Sequence, residues 1–517
     1  MALNSLYNLS FWGNDWDGWT DDMIGRDELS PVTTATIDGQ YSSVISLWSD
    51  SYKAISSANT ILSSLDIVQD DLSEETLNRY EAEARFVRAS MYARLVSKFG
   101  DVVFYTNNLS VEEAFTIGRT DKEIILESIY DDYDFAIANL PLSYSGLKRI
   151  TKGAALALKA RTALYNEDWL IASQAAKSCM DLGIYNLHPD FRELFLARTR
   201  NTEEVIMSIP RSVELGFYFG TRGEITRNVG GFTFWTPSWE LWASFPCVDG
   251  LPIDESPLFD PREPFKNRDP RCSMTIVEFQ TEHLGFMYQP HPDSLEVLNF
   301  TTGLYQKNND TRSVIQYASY NGLAWRKKID LDWADDLKAD NDLIIIRYAD
   351  VLLIYAEAMV EQGQINQTVL DAINMVRARA YGVGKENTDS YPEVTSTNQA
   401  ELRKIVRNER RIEFAWEGLR YMDLIRWRIA GKALNRSIYG MLDPEELREK
   451  VVDQGLWFWP MVPEIDEDGI ANFDPMFEAG YIKQIAVTAF DESKQYLFPI
   501  PTKEILINDN LIQNPGY

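Results

Sequence analysis

The sequence predicts a mainly α protein: stacked helical hairpins that carry a loop-rich, partly β insertion. Three observations predict it. Apolar residues recur at three- and four-residue steps along successive stretches, the mark of helices with one buried face. Two of these stretches, residues 152–183 and 346–381, fold such helices back around short turns. Between about residues 188 and 340 the helical period gives way to short strand-like runs broken by Gly, Pro and Asn. At 517 residues the chain can bury a large core. Its three parts, 1–187, 188–340 and 341–517, are expected to form one compact unit, with the middle part expected to bind ligand because inserted loops are where recognition varies.

Residues 2–9 read as the end of a short helix, and residues 11–27, FWGNDWDGWTDDMIGRD, as a loop dense in Trp, Asp and Gly. Trp12, Trp16 and Trp19 offer two readings: packing residues, or platforms on which the C–H faces of sugar rings stack while carboxylates such as Asp22 and donors such as Arg26 meet the hydroxyls. Asp15, Asp17, Asp21 and Asp22 give a weak calcium reading, since their spacing is not that of an EF-hand. A long helix spans residues 41–65, with Val44, Leu47, Trp48, Ile55 and Ile61 on one face. Ser73 caps a second helix that runs to Phe99 and stops at Gly100, and a third covers 121–140 up to Pro141. In the hairpin at 152–183, Ala154, Ala157, Ala160 and Ala163 let helices approach closely, and residues 166–168 make the turn. Its pattern is similar to tetratricopeptide repeats of about 34 residues, whose helix pairs must stack to bury their apolar faces.

In the middle part, residues 204–209 and 275–279 read as strands. Phe232, Phe234, Trp235, Trp239 and Trp242 cluster there. Tyr288, His291, Tyr305 and Tyr320, with Trp19, Asp22, Arg26 and Trp235, are the candidate ligand contacts, against the ordinary alternative of partly buried aromatics. Asp332, Asp335, Asp336 and Asp340 read as a solvated acidic loop.

The second hairpin, 346–381, turns at Gly363. After a polar loop comes NERRIEFAWEGLRYMDLIRWR, residues 408–428, around which the chain is organised. Leu402, Ile405, Val406, Ile412, Trp416 and Leu419 define an apolar face, and Gly418 separates a second amphipathic turn. Arg407, Glu409, Arg410, Arg411, Glu413, Glu417 and Arg420 crowd the same stretch; Arg410 with Glu413, and Glu413 with Glu417, stand at helical spacing. Charges so close to large apolar groups need partners elsewhere in the fold, because an unpaired buried charge is costly. The run LWFWPMVP within 431–477 reads as a surface element pressed on the core or as a partner contact.

ERRIEFAWEGLRYMDLIRW resembles the signature of the SusD/RagB family, the surface nutrient-binding lipoproteins of Bacteroidetes-type bacteria. IRYADVLLIYAEA (346–358), EARFVRASMYARLVSKFGDV (83–102) and the tail LFPIPTKEILINDNLIQNPGY (497–517) resemble it too. The resemblance weakens between about residues 190 and 340. It implies a SusD-like fold and a non-catalytic protein that captures an oligosaccharide and passes it to a SusC-like TonB-dependent transporter, with surface glycoside hydrolases as neighbours. It also implies that some of the TDD-like element at residues 20–22 anchors its loop. The RagB branch implies peptide capture as the alternative. In the family a lipoprotein signal peptide and a lipidated cysteine precede this point, so MALNSLYNLS is expected to follow their removal, with Met1 added, and the precursor to be lipid-anchored at the cell outer membrane.

Composition narrows the classes. A net charge of −28 argues against nucleic acid, whose phosphates demand a basic surface. No apolar run reaches the roughly eighteen residues of a membrane span. Cys179, Cys247 and Cys272 are too few and scattered for a disulfide framework, and three histidines are poor material for a zinc site. With no nucleotide or metalloenzyme motif, no cofactor is expected. A helical glycoside hydrolase is the remote alternative, needing two carboxylates opposed across a cleft.

Overall fold

The computed structural model describes residues 2–26, 28–146 and 148–517; Met1 and Asp27, which closes the expected Trp-rich loop, lie outside them. The long helices form where the periodicity places them. They are α1 (Ser42–Val68), α2 (Glu74–Phe99), α3 (Lys122–Asn139), α4 (Lys152–Tyr165) and α5 (Trp169–Met180). The Ser73 hydroxyl accepts from the Thr76 amide at 3.3 Å, giving a first-turn donor its partner. The chain resumes the stack with α6 (Tyr348–Glu361), α7 (Gln367–Ala380), α8 (Gln399–Glu413) and α9 (Arg420–Arg426). Each helix packs on the next through α4, α5 and α6, so the array continues across the long excursion between α5 and α6. Ala154, Ala157, Ala160 and Ala163 are buried at that packing, as small residues at a close helix crossing must be.

The excursion is tied to the stack by an antiparallel pair, β2 (Val205–Ile209) with β8 (Leu343–Arg347). A second pair, β1 (Met23–Gly25) with β3 (Trp235–Pro237), brings the N-terminal loop to it. Residues 275–279 are not the expected strand: Arg271–Thr275 is one helical turn, and Ile276 makes only an isolated bridge to Trp325. The segment from His283 to Tyr305 belongs to a four-stranded antiparallel meander. Its strands are β4 (Thr281–His283), β5 (Phe286–Tyr288), β6 (Glu296–Asn299) and β7 (Leu304–Lys307).

Two large apolar cores and two small clusters result among the described residues. One large core is the helical stack with both terminal segments. The other gathers Trp239, Trp242 and Trp325 with Ile412 and Trp416 and with Phe458 and Trp459 of the LWFWPMVP run, which is therefore pressed into the core. Trp325 stacks on Trp416 with centroids 4.6 Å apart and planes 12° apart. All three cysteines are buried and free.

The end of α8 joins the two cores. Helix α8 stops at Glu413, ahead of Gly418, because Trp416 and Gly418 turn to positive φ (61° and 74°). A Cβ on Gly418 would stand 2.1 Å from the Asp15 carbonyl oxygen, so the N-terminal loop crosses here only over glycine. The charges predicted to need partners find them, but not along the helix. Arg410 pairs with Asp350 (2.9 Å) and Asp423 (3.1 Å) rather than with Glu413. Glu413 accepts from Arg271 (3.0 Å), Arg347 (2.7 Å) and Arg379. Burial alone would raise its pKa, yet these guanidiniums outweigh that and hold the carboxyl well below the usual range.

Candidate functional site

Strand pairing builds the candidate site. In the β1–β3 register Gly25 faces Trp235, and the Arg26 amide donates to the Phe234 carbonyl at 3.0 Å. A Cβ on Gly25 would meet the Trp235 ring at 2.4 Å, so glycine lets the indole lie flat across the strand. The amides of Phe234 and Trp235 both donate to the Gly223 carbonyl, at 2.6 and 3.1 Å, which fixes the aromatic run against the preceding loop. Trp16 meets Trp235 edge to face at 4.8 Å, and Phe234 meets the same ring from another side at 4.8 Å.

Arg26 ties this group to the 310–320 loop. Its Nη1 donates to the carbonyls of Phe232 (3.1 Å) and Tyr317 (2.6 Å), and its guanidinium lies 5.2 Å from the Phe234 ring and 5.4 Å from that of Tyr317. Arg227 Nε donates to the same Tyr317 carbonyl at 2.9 Å. Beneath, buried Asp310 accepts from the amides of Arg227 (2.7 Å) and Asn228 (3.3 Å), and burial pushes its pKa up to about 6. The result is a surface with Trp16 36%, Phe232 42% and Tyr317 49% exposed, edged by arginines. Rings offer apolar faces and guanidiniums offer fixed donors: a chemistry suited to a hydroxyl-rich ligand with C–H faces.

Of the residues expected to contact ligand, the structure brings Arg26 and Trp235 into this group and sets Tyr320 beside it, with the Arg312 guanidinium 4.7 Å from its ring. Three others need correction. Trp19, 5% exposed, packs edge-on against Tyr421 and Phe498. Tyr288, 2% exposed, donates its hydroxyl to the Gly322 carbonyl at 2.9 Å. Asp22 is buried against Arg411 (2.7 Å), while Asp21 takes both Arg411 and Arg420 at 2.9 Å. These side chains hold the loop and the meander in place and present no face to a ligand. His291 stands apart, its ring 4.6 Å from Trp457, and Tyr305 lies 67% exposed on β7. Nothing local in the sequence marks Arg227, Arg222 or Tyr317, since the Tyr317 carbonyl, brought up by the fold, is what gathers Arg26 and Arg227. Among the described residues no group of three or more His, Cys, Asp or Glu is placed to hold a metal ion. Of the acidic loop, Asp332, Asp335 and Asp336 are exposed and Asp340 pairs with Arg200 at 2.6 Å.

A separate cleft of about 1090 Å³ lies at the other side of β2, lined by Tyr7, Tyr144, Tyr185, Met207, Arg211 and Phe217 among others. No helix among the described residues is long and apolar enough to cross a membrane.

Comparison with known proteins agrees with this architecture. Residues 203–517 match the SusD family, and residues 8–164 match a family described as starch-binding and associating with the outer membrane. The crystal structure of a SusD-like carbohydrate-binding protein from Bacteroides fragilis is 30% identical, with a TM-score of 0.79 over 99% of this chain and 98% of that one. A SusD-like protein of Formosa agariphila is 28% identical over 76% of this chain and 72% of its own length. A laminarin-binding SusD-like protein shares the fold at a TM-score of 0.66 and 21% identity, over 100% of this chain and 98% of its own. With its signature helix, its helical stack and most of its length matched, the chain belongs to the SusD family.

Proposed function

We propose that this protein is a non-catalytic, surface-exposed glycan-binding protein that captures an oligosaccharide on the Trp16–Trp235–Phe232–Tyr317 surface and passes it to a SusC-like TonB-dependent transporter in the outer membrane. A lipid anchor on the full-length precursor would keep it there, and surface glycoside hydrolases would supply the oligosaccharide. One observation carries the reading: Phe232 and Tyr317, partly exposed rings from distant segments, are held together by the hydrogen bonds of Arg26 to their carbonyls, with partly exposed Trp16 packed on neighbouring Trp235. The carbohydrate-binding and laminarin-binding names of similar proteins support it. Two opposed carboxylates across a cleft, the requirement of a hydrolase, are not part of this patch.

A glycan-array or calorimetric screen with the wild-type protein, Phe232→Ala and Tyr317→Ala tests it. Each ring contributes about 1 kcal/mol of stacking, so each variant should bind about five-fold more weakly. Unchanged affinity in both variants places the site elsewhere. Peptide capture is the second reading, favoured by the cleft of about 1090 Å³ along β2, where a strand could offer backbone partners to an extended chain. Peptide binding that survives both substitutions would favour it.

A further inference from the structure

The patch gathers Arg26, Arg222 and Arg227 on a chain whose net charge is −28. Many buried arginines of the molecule are matched to carboxylates, as Arg271, Arg347, Arg410 and Arg420 are, although buried Arg268 hydrogen-bonds to carbonyls. Arg227 sends Nε to a neutral carbonyl, which Arg26 also uses. Arg222 is exposed and lies over the Phe232 ring at 4.6 Å. Neither Arg222 nor Arg227 has a carboxylate oxygen within 4.0 Å among the described residues, although Asp310 receives the Arg227 backbone amide. Burial first and then the neighbouring Arg26 charge lower the pKa of Arg227, against the Asp310 carboxylate and Tyr320, which raise it. The mutual repulsion of Arg26 and Arg227 is a cost that their hydrogen bonds to carbonyls must offset. A ligand carrying negative charge would gain from the gathered charges, because guanidiniums bind carboxylate and sulfate oxygens through paired, charge-assisted hydrogen bonds.

We infer that the oligosaccharide taken by this patch is anionic, bearing uronic carboxylates or sulfate esters that Arg227 and Arg222 receive while the sugar faces stack on Phe232 and Tyr317. The inference rests on the glycan-binding reading above and adds the charge of the sugar. It also answers a difficulty of long range: a strongly acidic protein repels a polyanion, so capture needs a local positive focus.

Paired oligosaccharides test it: uronic-acid chains against the same chains with carboxyls reduced to alcohols, and sulfated chains against their desulfated forms. Each pair is titrated with the wild type, Arg227→Gln, Arg222→Gln and Phe232→Ala. The wild type should prefer the charged member of one pair by roughly ten-fold or more, and the pair that shows the preference identifies carboxylate or sulfate. Arg222→Gln, at an exposed position, and Arg227→Gln should each reduce that preference, weakening the charged member more than the neutral one. Phe232→Ala should weaken both members alike. Equal affinity for charged and neutral members, or a preference that survives both arginine variants, overturns the anionic inference. If Phe232→Ala still weakens binding in that case, the glycan-binding reading stands; if no variant and no pair shows any change, both fall.

Discussion

Asp17 shows how one side chain can record the cost of building the N-terminal loop. Its Oδ2 accepts from the Gly418 amide at 3.1 Å, while Oδ1 meets no donor among the described residues. Burial, reinforced by the Asp22 carboxylate and opposed by Lys328 and Lys327, pushes its pKa up to about 7. The folded chain therefore holds this proton more tightly than the unfolded chain, whose aspartate titrates near 3.8. Between those values the unfolded state binds fewer protons, so the contribution of Asp17 to stability is full below pH 3.8 and is lost as pH rises through 7. Asp17→Asn removes the titration and keeps an oxygen for Gly418. It should match the wild type near pH 4 and exceed it by about 1–3 kcal/mol at pH 8, read from urea unfolding at both values. A difference independent of pH would show that Asp17 is ionised in the folded protein throughout.

At the scale of the element, α8 is held by charge as much as by apolar packing. Leu402, Val406 and Ile412 face the cores, while Glu409 and Glu413 meet four arginines from three other places: Arg271, Arg347, and Arg377 with Arg379 on α7. Removing one member of such a cluster leaves the others buried without compensation. Glu413→Ala should thus lose roughly 3–5 kcal/mol, whereas Arg403→Ala, which breaks a half-exposed pair with Glu361, should lose under about 1 kcal/mol. Urea denaturation of the two variants decides it; equal losses would mean that apolar packing alone carries the helix. The same contrast explains what sequence could and could not disclose. The helices were legible because a 3.6-residue period repeats locally, as in Ala154, Ala157, Ala160 and Ala163. That Glu413 needed partners was legible as well, but not that Arg271, Arg347 and Arg379 supply them, because no local pattern links those segments. Tyr288 read as an exposed ring for the same reason. Strands of three or four residues, as in β4–β7, are too short to show the alternation that would have marked the meander and the buried side of β5. Residue type alone singles out Arg26 and Trp235 as candidates, and only the β1–β3 register makes them neighbours.

For the molecule as a whole, two families of carboxylates pull stability in opposite directions with pH. Glu413, Glu417, Asp21, Asp350 and Glu357 are buried, which would raise them, but facing arginines and, for Glu417, Lys327 outweigh burial and depress them; Glu417 lies at about 2. Their stabilisation is complete above the ordinary carboxylate range and is lost as pH falls through that range towards the depressed folded values, where the unfolded chain takes up protons first. Asp17, Asp22, Glu224 and Glu240 are raised chiefly by burial, so their contribution is lost as pH rises through their raised folded values, about 7 for Asp17 and about 8 for Glu224. Net charge adds to the second group: −28 at pH 7 against a pI near 4.6 means that self-repulsion grows on the alkaline side. Stability should therefore peak at about pH 5 to 6, drop steeply below about pH 4 and decline gently above pH 7. Salt should flatten the alkaline side by screening exposed charge and leave the acid side steep, because its carboxylates are buried with their arginines. Urea midpoints measured from pH 3 to 9 at low and high salt would show this shape. A maximum at alkaline pH, or an acid limb that salt flattens as much as the alkaline one, would mean that surface charge rather than the buried carboxylate–arginine network governs how the protein responds to acid.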